Sequence, residues 1–332
     1  MSLFKKLARN PKQFLTLTGI ELSDFERLLP ELEQADREQE RQRKARVVRT
    51  GARRQRRPGG GGHFGNAFPN RCLMLLLYYR LYVSQEFLTL LFKAENKSVI
   101  CRGIQSVRGA WEAVLPLPEY IRHRIAAAAR EVTRQKRIGS IEEFREAYPE
   151  LEFIIDGVEQ PKRKPTDKQK RKDEYSGKKK RHTRKQIITT TRSGLIVDQS
   201  PSVGGRTHDV TAFKHDRARR GVLETLSDLR VTLYADSGFQ GIQAIGLPVE
   251  VRLIERARRN HPLTRHQREI NRLRASRRIP VEHTISRRKK YQIAAQEYRN
   301  RDSEYDRTMN IVAGLVNLRT CNRISQRTGI QF

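Results

Sequence analysis

The sequence predicts an α/β fold, a mixed β-sheet flanked by helices, preceded by an all-α domain laid out as a helix-turn-helix. Three observations carry this expectation. Leu151–Asp156 and Val231–Asp236 are both apolar strand patterns that run into an aspartate and then a glycine-containing turn. Around them the patterns run strand, two hairpin strands, helix, strand, strand, helix, an order that suits a sheet with helices on its faces. Ahead of them, residues 69–112 carry three closely spaced helical patterns with cap residues.

Charge narrows the partner. The chain has 68 Lys+Arg against 37 Asp+Glu, a formal net charge of +31 over 332 residues, and a sequence pI near 10.7. Such a chain seeks a polyanion, with nucleic acid ahead of an anionic membrane surface. The longest apolar run, Cys72 to Tyr79, is too short to span a bilayer, and no signal-peptide pattern opens the sequence. A soluble protein of the cytoplasm, nucleoid-associated in a bacterium, is expected, with no membrane partner. Cys72, Cys101 and Cys321 lack disulfide or zinc spacing and read as small core hydrophobes.

Taken in order, residues 1–57 read as helix followed by a basic arm. Ser23 and Glu26 form a capping-box pattern before Phe25, Leu28, Leu29 and Leu32, with a bend expected near Pro30. From Arg41 to Arg57 there are nine Lys or Arg and no acid, and Pro58 with Gly59–Gly62 then breaks the run. It reads as a flexible cationic linker, either tracking phosphates or simply solvated.

In the 69–112 region, Cys72–Tyr82 forms a buried first helix, Ser84 caps a second over Gln85–Phe92, and Asn96 caps a third. On the third, Ile100, Ile104, Val107 and Trp111 make one core-facing stripe, while Ser98, Arg102 and Gln105 fall opposite. A recognition helix has this layout, with Lys97 on a phosphate. So does an ordinary three-helix bundle with a wet face. Pro116, Pro118, the Ala126–Ala129 helix and a Ser140/Glu143-capped helix through Phe144 read as connectors.

After the Asp156 strand come thirteen Lys or Arg between Lys162 and Lys185. Within that run, Tyr175-Ser176-Gly177 marks a turn, and Lys178, Lys179, Lys180 and Arg181 are candidate DNA contacts. Gln186–Thr190 and Gly194–Val197 suit a hairpin across Arg192-Ser193. Asp209 precedes a helix through Val210, Ala212 and Phe213 and reads as its N-cap, with a catalytic role as the lesser alternative. Val231, Leu233 and Ala235 alternate with Thr232, Tyr234 and Asp236, so the acid leaves the less apolar face. Val249, Val251 and Leu253 form a fifth strand pattern.

Asp156, Asp236 and Glu282 thus lie on three separate elements. Each alone fits an ordinary surface acid. Together they suit phosphodiester chemistry, in which two Mg²⁺ ions about 3.5–4 Å apart stabilise the attacking and leaving oxygens. Mg²⁺ prefers hard oxygen ligands, and without a metal such carboxylates would repel one another. The three acids are therefore candidate catalytic residues and ligands of two Mg²⁺, with Mn²⁺ as a substitute. Arg278, Glu282 and Lys289 fall within about 40° of one another on a helix. The two cations suit a DNA phosphate, or belong to surface ion pairs. Pro280 fits a first turn but not an interior, which leaves open whether Arg278 precedes that helix.

Several blocks resemble a known family. Asp156-Gly157, Tyr175-Ser176-Gly177-Lys178-Lys179-Lys180-Arg181-His182-Thr183, Ser200 to Asp209, Asp236-Ser237-Gly238-Phe239 and Val281-Glu282-His283-Thr284-Ile285 look like those of DDE transposases of bacterial insertion sequences and their Harbinger-like relatives. Met309–Arg319 extends the likeness, and residues 69–112 do so more loosely. The resemblance implies an RNase H-like catalytic domain, two Mg²⁺ ions, and cleavage plus strand transfer at the ends of a mobile element. By position, Asp156, Asp236 and Glu282 match the metal-binding triad, and Arg278 and Lys289 match the Arg and Lys of the family's Tyr-Arg-Glu-Lys signature. That signature's Tyr falls on Ala275, and Ser237-Gly238-Phe239 stands where Lys-Gly-Tyr is frequent.

The resulting domain expectation is an N-terminal helix with basic Gly-rich linker over 1–62, a helix-turn-helix DNA-binding domain with connecting helices over 63–148, an RNase H-like catalytic domain over 149–300, and a C-terminal helix over 301–332 packing on it. The expected function is a transposase acting on double-stranded DNA, both terminal inverted repeats and target, as a homodimer or larger assembly. A non-catalytic DNA-binding descendant and a structure-specific nuclease are the alternatives.

Overall fold

The structure, a computed structural model, describes residues 2–49, 66–135, 152–215, 231–245, 249–257 and 259–328. Contacts divide the chain into one unit of residues 1–115 with 290–293 and a second of 116–289 with 294–332. The expected linker at Pro58–Gly62 and the Ser140 helix lie outside the described residues.

The first unit is all-helical: α1 Leu3–Leu7, α2 Pro11–Thr18, α3 Leu22–Arg49, α4 Phe68–Leu81, α5 Gln85–Phe92 and α6 Lys97–Val114. Helix α3 starts before Ser23, which corrects the expected cap, and it continues through Pro30. It also continues to Arg49, through the first half of the run read as a flexible linker. Arg, Lys, Gln and Glu are good helix formers, and pairs such as Arg37–Glu33 (3.4 Å) and Gln42–Glu38 (3.1 Å) brace successive turns. The caps of α5 and α6 are those expected: Ser84 Oγ accepts from Phe87 N–H at 3.1 Å, and Asn96 Oδ1 accepts from Ser98 and Val99 N–H at 3.0 and 3.3 Å. Ile100, Ile104, Val107 and Trp111 are buried. Each such apolar side chain taken from water contributes roughly 1.5–3 kcal/mol. Phe25 of α3 packs on Trp111 with ring centroids 6.3 Å apart, which joins the N-terminal helix to this bundle instead of leaving it a separate segment.

In the second unit, β1 (Glu152–Pro161), β2 (Tyr175–Ser176), β3 (Arg181–Thr191), β4 (Ile196–Gln199), β5 (Val203–Gly204), β6 (Thr232–Ala235) and β7 (Glu250–Leu253) form one mixed sheet in the order β2-β3-β1-β6-β7, with β4 and β5 also on β3. Strand β1 is antiparallel to β3 and parallel to β6, and β6 is parallel to β7. The helices are α7 (Pro118–Gln135), α8 (Lys168–Glu174), α9 (Asp209–His215), α10 (Arg265–Lys289) and α11 (Tyr305–Thr328).

The sheet's two faces differ by residue parity. Phe153, Ile155, Leu233 and Ala235 point into a core shared with Ile121, Ile125 and Ala126 of α7, Ala212 and Phe213 of α9, and Ile324 of α11. Ile154 and Tyr234 point the other way and meet Val281 and Ile285 of α10. Helix α7 is therefore part of the second unit's core, a correction to its reading as a connector. Burial pushes the Cys72 thiol up, and the Cys321 thiol up to about 12, as for inert core cysteines. No helix among the described residues is long and apolar enough to cross a membrane.

Candidate active site

Sheet register brings the first two acids together. Ile155 pairs with Ala235 across the parallel β1–β6 ladder, so Asp156 and Asp236 are the next residues on adjacent strands and share the parity of Ile154 and Tyr234. Both carboxylates thus leave the face covered by α10. Asp156 does not end its strand, as expected, but lies within β1, opposite Ile188 on β3, because the antiparallel ladder carries β1 on to Pro161. Asp236 follows the last residue of β6 and caps the short 3₁₀ turn Ser237–Phe239, its Oδ1 accepting from Ser237 N–H.

Arg278 is the cation between them. Its Nη2 is 3.7 Å from Asp156 Oδ2 and its Nη1 is 3.6 Å from Asp236 Oδ1. The residue is only 9% exposed. Helix α10 runs through Pro280 without interruption, so Arg278 lies inside it and not before it. The helix tolerates the proline because buried Val281, Thr284 and Arg288 fix its far half, and Arg288 donates to Gln186 Oε1 at 2.7 Å. In this arrangement Arg278 faces the acids. Both contacts exceed hydrogen-bond length, and Arg278 Nε is buried without a hydrogen-bond partner. Charge attraction, not a fixed network, holds the guanidinium there.

Burial raises the Asp156 pKa above its ordinary value, Arg278 and the Gly157 N–H lower it, and Asp236 and Asp209 raise it again. Glu282 sits one turn beyond Arg278, about 40° round the helix, with its side chain exposed. Among the described residues, no three His, Cys, Asp or Glu side chains are gathered closely enough to hold a metal ion. The expected three-acid cluster is therefore a converged pair with the third acid on the adjacent turn. The pair offers hard carboxylate oxygens around a single cation, a donor set that fits Mg²⁺.

Asp209 is the residue the sequence undervalued. It is the first residue of α9 and not its N-cap, and its Oδ1 lies 2.9 Å from Lys185 Nζ. A methyl on Gly157 would stand 2.9 Å from its carboxylate, and one on Gly238 would stand 3.1 Å away. The glycines one and two residues after the two site acids thus make room for a third aspartate. Asp156-Gly157, Asp236-Ser237-Gly238 and His208-Asp209 were separate blocks in the sequence, and their common glycine pattern was the available signal.

The other candidates are dispersed. Gly177–Lys180 is the tip of the β2–β3 hairpin, with Lys178, Lys179, Lys180 and Arg181 exposed, and Arg181 ion-paired to Glu297 at 3.2 Å. Lys97, Ser98, Arg102 and Gln105 are exposed on α6 in the first unit. Lys289 is exposed at the end of α10. A cavity of about 870 Å³, which the sequence did not suggest, opens beside the Asp236 turn, lined by Gln240, Gln243, His261, Gln267 and Arg274 among others.

Comparison with known proteins bears on the segment that carries this site. Residues 155–317, from the residue before Asp156 to Asn317, match the family described as DDE superfamily endonuclease. A curated relative extends the likeness beyond this segment. It is a probable transposase for insertion sequence element IS702 from Microchaete diplosiphon, 25% identical over 272 residues, which cover 82% of this chain and 87% of that protein. No solved structure matches.

Proposed function

We propose that the protein is a transposase that cuts DNA at the ends of a mobile element and joins the freed ends to target DNA. The observation that carries the reading is the convergence of Asp156 and Asp236 on one cation, with Glu282 on the adjacent turn of the same helix. Asp156, Asp236 and Glu282 would hold two Mg²⁺ ions, or Mn²⁺, which supply Lewis-acid stabilisation of the attacking and leaving oxygens. In the first reaction a water oxygen bonds to phosphorus, the bond to O3′ breaks, and O3′ takes up a proton. In the second, that 3′-oxygen bonds to a target phosphorus, displaces the target O3′ and loses its proton.

The chain's own residues have separable roles. Arg278 balances the acid pair before substrate arrives and would turn to the scissile phosphate once DNA is bound, where a guanidinium fits two oxygens. Lys289 and the Lys178–Arg181 hairpin tip hold the flanking backbone. The antiparallel β3–β1 pair followed by the parallel β1–β6–β7 ladder supports an RNase H-like reading of the second unit. The cap, stripe and wet face of α6 support a helix-turn-helix in the first, with Lys97, Ser98, Arg102 and Gln105 reading the terminal repeats. Joining two ends calls for a homodimer or larger assembly on DNA.

The test uses DNA carrying the inverted repeats that flank the gene, with Mg²⁺ or Mn²⁺, and follows nicked and joined products. Asp236→Asn and Glu282→Gln should each abolish both products, by about 10³-fold or more, while DNA binding persists. Binding with no cleavage in either metal would instead mark a non-catalytic DNA-binding descendant. Cleavage without joining would mark a nuclease.

A further inference from the structure

Helices α10 and α11 bring four arginines together without an acid. After Glu282, α10 has no carboxylate, and after Asp306 neither does α11. Arg319, Arg323 and Arg327 recur every fourth residue of α11 and so form one stripe. A methyl on Gly194, in the β3–β4 turn, would lie 2.8 Å from Arg287 Nη1 and 3.8 Å from Arg323 Nη2, so the two guanidinia close over the same turn. Arg323 Nη2 donates to Ser193 O at 2.9 Å, and Thr284 Oγ1 donates to Gly194 O at 3.2 Å. Among the described residues, no carboxylate is paired with any of the four. Burial lowers the Arg287 and Arg323 pKa values, and neighbouring arginines lower both further. The fold keeps like charges together at a cost.

The dipole of a helix C-terminus accounts for Arg287 and Arg327, each in a last turn, but not for Arg319 and Arg323 further back. Extended anion binding accounts for all four. From Arg319 to Arg327 the stripe spans roughly 12 Å at 1.5 Å per residue. One DNA strand presents a phosphate about every 3.4 Å of axis, so the stripe covers about three phosphate spacings rather than one free anion. Arg287 points about 180° round α10 from Arg278 and about 140° from Glu282.

We infer that Arg287, Arg319, Arg323 and Arg327 form a second phosphodiester-binding surface for duplex DNA, on the flank of α10 away from the three acids. DNA bound here is a stretch other than the one being cut. The inference rests on the reading of the protein as a DNA-acting enzyme, and its test separates the two.

The full-length protein is titrated with a random 30-base-pair duplex over a range of NaCl concentrations, with binding followed by fluorescence anisotropy. Arg319→Gln/Arg327→Gln changes two exposed side chains, and its fold is checked by thermal unfolding. Its slope of log affinity against log salt should fall in magnitude by about 1.8, with affinity roughly tenfold or more weaker at 0.1 M salt. Arg319→Lys/Arg327→Lys should keep the wild-type slope. An unchanged slope in the Gln variant overturns the inference, and wild-type cleavage of element ends in the same preparation leaves the transposase reading standing. A wild-type protein that binds no duplex overturns both.

Discussion

Asn317 is fully buried on α11, where its Oδ1 accepts from Ile196 N–H at 2.8 Å and its Nδ2 donates to Ile196 O at 2.9 Å and Pro116 O at 3.0 Å. It does for β4 what another strand would do, satisfying backbone groups that pair with no strand. Asn317→Ala leaves those groups buried without partners and should cost about 2–4 kcal/mol, read from urea unfolding. A shift under about 1 kcal/mol would mean that the groups find other partners. Asp302 behaves differently, being half-exposed. Burial pushes its pKa up, but hydrogen bonds from Lys162 and Arg184 outweigh that and hold it below the ordinary 3.8. A carboxylate with a depressed folded pKa stabilises above its unfolded pKa and loses that effect as pH falls through the folded value. Asp302→Asn should therefore lower the melting temperature at pH 7, and the difference should fade below pH 3.8. A pH-independent difference would assign the effect to packing.

Helix α6 allows stability to be tested apart from the recognition role proposed for it. Asn96 satisfies two N-terminal N–H groups, and Asn96→Ala should cost about 1 kcal/mol of stability. Arg102 and Gln105 are exposed on this helix. Arg102→Ala with Gln105→Ala should leave the unfolding curve within about 0.5 kcal/mol of wild type while weakening binding to the element ends about tenfold or more. Equal loss on a scrambled duplex would show that α6 contributes charge and not readout. Helix α10 combines three tasks: Val281 and Ile285 seal the sheet face, Arg278 meets the acids, and the last turn turns away with Arg287. Its apolar pattern is weak because a helix carrying so many arginines shows no clean stripe. Arg277 on Glu152 at 3.2 Å and Arg288 on Gln186 are sheet anchors that look like surface cations in the sequence.

At the scale of the whole molecule, a net charge of +31 predicts steep loss of non-specific DNA affinity with salt, about 10³-fold between 50 and 200 mM if six or more phosphates are contacted. Anisotropy with a scrambled duplex measures this, and a loss below tenfold would place most of the charge away from DNA. That charge, the caps of α5 and α6, the hairpin at Arg192-Ser193, the strands bearing Asp156 and Asp236 and the family blocks were all set by the sequence itself. Each depends on residues a few positions apart, through caps, turns and alternation. Other features were decided only by tertiary structure: Asp156 and Asp236 side by side on Arg278, Asp209 between two glycines, α7 in the sheet's core, α3 helical through Pro30 and Arg41–Arg49, and α10 unbroken at Pro280. These depend on strand register and on burial against residues up to a hundred or more positions away. Local propensity carries no information about such partners, because the free energy that selects them comes from surfaces that meet only in the folded chain.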